Sequence, residues 1–178
     1  PAPAVSSPAL ETEPPTEPAT EAPGSDAPGT AGSSAPGAGS EGEGEGVTLL
    51  FTGEVLMHNS LIQQALQNGG GRNFDFRPMF DEIRDLVSGA DLAVCHLELP
   101  VIPDGEGMEP RYATPPQVVD ALADAGFDRC STASNHALDR GAKGSNATLA
   151  AFDRVGMTQH GTARKASEAE PAVLDVSG

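Results

Sequence analysis

The stretch VTLLFTGEVLMH, residues 47–58, decides the fold. Its first six residues form a continuous apolar run, Val47–Thr52, of the kind expected for a strand covered on both faces. Gly53 allows a tight turn at the strand end, Glu54 follows directly, and His58 stands where a helix should begin. Downstream, Asn59 is placed to cap a helix whose Leu61, Ile62, Ala65 and Leu66 share one face, ended by Gly69-Gly70-Gly71. The same strand-then-polar pattern returns three times. Asp91–Cys95 precedes His96, Phe127–Ala133 precedes Asn135 and His136, and the short run 156–159 precedes His160.

Helical spacing fills the intervals. A second helix is expected from about Arg77 to Ser88 through Phe80, Ile83, Leu86 and Val87, stopped by Gly89. After a loop from Leu99 to Ala113, Thr114 as cap with Pro115 and Pro116 starts a third helix, buried through Val118, Val119, Leu122 and Ala125 and stopped by Gly126. A fourth runs from about Gly144 to Val155, and a last short strand is expected at Ala172–Val176. Alternation of this kind means an α/β fold with a largely parallel sheet. Ligands of such sheets bind beyond the carboxyl ends of the strands. All four histidines of the chain therefore point to one edge.

Residues 1–46 are unlike the rest. They hold nine prolines and eight acidic side chains, with no lysine, arginine or aromatic residue. Such composition cannot bury enough apolar surface to offset the entropy of ordering, so a disordered acidic linker is expected there, and 47–178 as the folded α/β domain. Pro15–Pro18 has PxxP spacing, unremarkable in so proline-rich a stretch. The net charge of −16, half of it from the linker, argues against nucleic acid and against an anionic membrane surface. The chain starts with Pro, so a leader either preceded it or was never included; a stalk before a folded domain suits a secreted or anchored envelope protein. Ending just after an expected strand suggests the N-terminal portion of a larger domain. Cys95 and Cys130 lie in expected strands and pair if those strands are neighbours. Parallel strands seldom give the required geometry, and buried free thiols are the expectation.

Three loops carry the chemistry. Glu54 with His58 offers a carboxylate and an imidazole, a combination suited to a divalent first-row metal. In His96-Leu97-Glu98, alternation puts His96 and Glu98 on one side as a chelating pair. In Ser134–Gly141, Asn135 offers a carbonyl oxygen to a metal, His136 a general acid, and Asp139 a partner for the imidazole's other nitrogen. His160-Gly161 adds a fourth imidazole. The expected metal ligands are Glu54, His58, His96, Glu98 and Asn135, for Mn, Fe or Zn, and the catalytic candidates are His136, Asp139 and His160. An anionic substrate would need Arg111, Arg140 or Lys143. No Gly-x-Ser-x-Gly or phosphate-cradling Gly-Lys-Ser/Thr motif occurs, and two lone cysteines exclude a zinc ribbon.

LLFTGEVLMHNSL, FDFRPMFDEIRDLVSGADLAVCHLELPV and ALADAGFDRCSTASNHALDRGAKGSNATLAAFDRVGMTQHGT resemble the CapA family of bacterial capsule (poly-γ-glutamate) synthesis proteins, whose domain is similar to calcineurin-like metallophosphoesterases. The family pattern reads Gly-Asp, Asn-Leu-Glu and Asn-Asn-His-x-x-Asp-x-Gly after the first three strands. This chain has Glu54 for the Asp, His96 for the first Asn and Ser134 for the next, and keeps Glu98, Asn135, His136, Asp139 and Gly141. The resemblance implies the N-terminal half of a layered metallophosphoesterase-like fold and a role in capsule synthesis. It points to a metal-dependent hydrolase acting on a phosphoester or γ-glutamyl polymer at the outer face of the envelope, with other capsule synthesis proteins as partners. The alternative is a non-catalytic factor that guides an anionic polymer.

Overall fold

The computed structural model describes residues 46–102, 112–170 and 173–176. They belong to the unit Gly44–Gly178, so the expected linker lies outside the described residues except for Gly46. The core is a four-stranded parallel sheet of β1 (Leu49–Val55), β2 (Leu92–Leu97), β3 (Arg129–Ser131) and β4 (Thr158–His160), in that spatial order. The helices are α1 (Asn59–Asn68), α2 (Arg84–Ser88), α3 (Gln117–Ala125) and α4 (Gly141–Val155). This is the α/β class read from the alternation.

Strands laid down in sequence order, with crossovers of one hand, place their helices on one face of the sheet. The burial pattern agrees. Ala93, Cys95, Leu97 and Cys130 are buried with Ile62, Val87, Val118, Leu122 and Phe152 in one cluster. The alternate residues Leu92, Val94 and His96 are only half covered, and Leu49 and Phe51 beside them are exposed, Phe51 by 69%. The apolar run at 47–52 is therefore covered on one face, not two.

The largest departure from the sequence reading is the second helix. Residues 77–79 and 81–83 form single 3₁₀ turns, and only Arg84–Ser88 is α-helical. A 3₁₀ turn holds three residues rather than 3.6, which breaks the alignment of the apolar side chains. Phe80 and Val87 reach the core while Leu86 is 68% exposed. Pro78, lacking a backbone N–H, sits at the start of the first turn. Two other boundaries move. Thr114 does not cap α3; it forms a β-bridge with Val101, and α3 starts behind Pro116. His58, not Asn59, is the N-cap of α1, through its backbone and without a side-chain cap. Residues 173–176 are not a strand, and β4 is the last one among the described residues. Gly126 and Gly156 end α3 and α4 in the left-handed conformation, φ +99° and +72°, as glycine permits.

The cysteines overturn the free-thiol expectation: Cys95 and Cys130 form a disulfide. The register of β2 on β3 sets them directly opposite each other on the helix-covered face, with Cα atoms 4.4 Å apart. That is the short end of the disulfide range.

Candidate functional site

Register and a bulge build the site. β1 pairs with β2 as Leu49↔Leu92 and Phe51↔Val94, and then as Glu54↔His96 and Val55↔Leu97. Three residues of β1 thus advance against two of β2. The extra residue reverses the parity of the strand, so Glu54 joins Leu49 and Phe51 on the open face while Val55 turns into the core. Gly53 lies inside β1 at this bulge, not in a turn after it. Across the sheet, His96 pairs with Ser131 and Ser131 with His160. The result is one row on the open face, Glu54–His96–Ser131–His160. His96 and His160 lie within their strands, not past the strand ends, and their backbones stand two strands apart, about 10 Å.

Glu98 follows β2 and is 8% exposed. Its Oε1 lies 3.7 Å from His136 Nε2, and its Oε2 is buried without a hydrogen-bond partner. Burial pushes its carboxyl above the ordinary range, and the adjacent Glu54 carboxyl raises it further; His136 and His96 pull weakly the other way.

His136 is held from several directions. Asp139 Oδ2 is 2.7 Å from its Nδ1. That contact leaves Nε2 toward Glu98 and supports an imidazole bonded at Nδ1. The loop is fixed by Ser134, whose Oγ donates to the Glu98 carbonyl at 2.6 Å and accepts from the His136 N–H at 3.1 Å. The Tyr112 ring meets His136 edge-on, centroids 5.2 Å apart. Ser134 stands where the family pattern has Asn. Its hydroxyl joins two of the expected loops, a role no local signal in the sequence revealed, and nothing in the sequence marked Tyr112 either.

The other expected site residues are placed as follows. His58 caps α1 through its carbonyl, which accepts from Leu61 and Ile62 at 2.9 and 3.1 Å, and its side chain is exposed, outside the Glu54–Glu98–His136 group. Asn135 is exposed and lines a different cleft from Glu98. Arg140 is the N-cap of α4 and packs along Gly144, where an added Cβ would lie 2.2 Å from the Arg140 Cβ. Lys143 is exposed on α4, and Arg111 lies outside the described residues. Among the described residues, no three His, Cys, Asp or Glu side chains are arranged as a ready-made metal-holding group. Glu54 and His96 both lie close enough to Glu98 to act on its carboxyl. Their donor chemistry suits a divalent cation, and the orphaned Oε2 of Glu98 is an atom that a cation would satisfy.

A parallel sheet with its helices on one face, and carboxyl groups and an imidazole gathered at the carboxyl ends of its strands, defines an α/β protein with a candidate site at that edge. The chain belongs to the family of bacterial capsule synthesis proteins, PGA_cap, whose model matches residues 48–178. The match covers all four strands, and it accords with the resemblance carried by the three loops. Among curated proteins, none matches the chain.

Proposed function

We propose that this capsule synthesis protein is a hydrolase of the cell envelope acting on a phosphoester or a γ-glutamyl linkage, with its chemistry at Glu54, His96, Glu98 and His136. The observation that carries this reading is the buried Glu98 carboxyl, set between the Glu54 carboxyl and the Asp139-held imidazole of His136. Burying such a group costs stability, and groups of this kind cluster at functional sites. His136 is positioned to hold or deliver a proton at Nε2, with Asp139 orienting the ring. Glu54, His96 and Glu98 are the residues that would hold a divalent ion such as Mn, Fe or Zn. When bound, the ion would supply an acidified water and stabilise charge on the scissile group. His160, far along the row, and Asn135, exposed and lining another cleft, have weaker claims.

The Cys95–Cys130 disulfide supports an oxidising compartment, consistent with the outer face of the envelope. An anionic polymer or a small phosphoester as substrate, and other capsule synthesis proteins as partners, follow from the family reading. The absence of a ready-made three-donor group among the described residues favours a second reading, a non-catalytic factor that guides the polymer.

Elemental analysis of the full chain beside a Glu98→Gln variant, together with hydrolysis of phosphoester and γ-glutamyl amide substrates, separates the two. The hydrolase reading expects metal near stoichiometry and turnover, both lost in the variant. Neither metal nor turnover in the parent chain supports the guiding role.

A further inference from the structure

Beyond the loop that carries His136 lies a second cleft, of about 490 Å³, within the size range of small-molecule sites of about 300–1,000 Å³. Its walls are the loop after β3, the loop after β4 and the first turns of α4. The two loops touch at Gly161. Its φ is +115°, and an added Cβ would lie 2.5 Å from the Ala133 nitrogen, so only glycine lets the backbones approach this closely. Thr132 secures the contact from within: its N–H donates to the His160 carbonyl at 2.7 Å, and its hydroxyl bonds Gln159 Oε1 at 2.7 Å.

The lining chemistry is specific. Asn135 and Ser145 supply a carboxamide and a hydroxyl, beside alanines, Leu138 and the hydroxyls of Ser134 and Thr162, which are bonded within the protein, and among the described residues no charged or aromatic side chain lines the cleft. In a chain of net charge −16, a cleft without a cation is a poor seat for a phosphate or a free carboxylate. Without an aromatic face it offers no stacking platform for a sugar ring. A carboxamide and hydroxyls both donate and accept, which matches the paired donor and acceptor of an amide, while the alanines suit short aliphatic spacers.

We propose that this cleft binds an uncharged, amide-bearing chain segment, at a site that adjoins the Glu98–His136 group through Ser134. The proposal does not depend on the hydrolase reading.

The test is a titration of the ¹⁵N-labelled full chain with N-acetyl-trialanine amide, γ-linked triglutamate, chitotriose and tripolyphosphate, followed by amide shifts. The expected result is saturable shifts at Gly161, Ala163 and Ser145 with the alanine peptide. Asn135→Leu, at an exposed position, and Ala163→Phe, which fills the cleft, should each weaken binding about tenfold or more while the spectrum stays dispersed. Glu98→Gln should leave this binding intact whether or not it affects hydrolysis. γ-Linked triglutamate, which has the amide but carries a free carboxylate on every residue, should bind much more weakly than the alanine peptide. The proposal is overturned by the absence of shifts with the alanine peptide, by γ-linked triglutamate, chitotriose or tripolyphosphate shifting these residues as strongly, or by an unchanged affinity in Asn135→Leu.

Discussion

Reducing the Cys95–Cys130 bond should destabilise the domain substantially. The bond joins residues 35 apart in sequence and closes a loop spanning α3 and the chain before it. In the chain-entropy model a loop of this size restricts the unfolded state by about 13 cal/mol/K, or about 3.8 kcal/mol at 25 °C. For a folded unit of about 130 residues, with an unfolding entropy of about 2.1 cal/mol/K per residue, this corresponds to a fall in Tm of about 14 °C. Both sulfurs are buried, so the native fold itself protects the bond, and the reductant must be applied to unfolded protein before refolding. The assay is a pair of urea unfolding curves by circular dichroism, oxidised and reduced. The midpoint should drop and the slope should rise slightly, because the reduced unfolded chain exposes more surface. Superimposable curves would refute the reasoning. So would alkylation of two thiols in oxidised protein denatured without reductant.

Three other outcomes follow from the geometry. Glu98 has its folded pKa raised above its unfolded value, so its contribution to stability is fully present below the unfolded carboxylate pKa and is lost as pH rises through the folded one. Glu98→Gln should flatten that decline and raise Tm at neutral pH relative to the parent; melts across the acidic-to-neutral range check this, and an unchanged pH profile refutes it. At Gly53 an added Cβ meets nothing within 4 Å, so Gly53→Ala should change stability by less than about 0.5 kcal/mol in urea melts. Deleting Gly53 instead removes the extra residue and leaves a regular strand, with Phe51 still opposite Val94, Glu54 opposite His96 and Val55 in the core, so the fold should tolerate it. Withdrawing Val55 from the core would cost about 1.5–3 kcal/mol, so a deletion that destabilises by that much would sink the bulge assignment. Gly161→Ala combines a left-handed φ with a 2.5 Å clash against the Ala133 backbone and should cost about 1–3 kcal/mol by the same melts.

The features legible in the chain are those written locally. The apolar runs before His96 and His160 and the helix-stopping Gly89 and Gly126 showed the alternation, and so the α/β class. The residues after the strands gave the family and named Glu54, Glu98, His136 and Asp139. Side-chain periodicity and turn chemistry act over a few residues, and a reader of the chain has them in view. Tertiary structure alone decided the rest. Whether Cys95 meets Cys130 depends on β2–β3 register, set by contacts 35 residues apart. Whether Glu54 faces His96 or the core depends on one extra residue in β1, which the apolar pattern does not distinguish from a turn after the strand. Whether Phe80, Ile83 and Leu86 share a face depends on 3₁₀ turns that a 3.6-residue period cannot anticipate. Local pattern specifies which elements form; which side chains meet follows from how those elements pack, because register and parity are settled by long-range contacts.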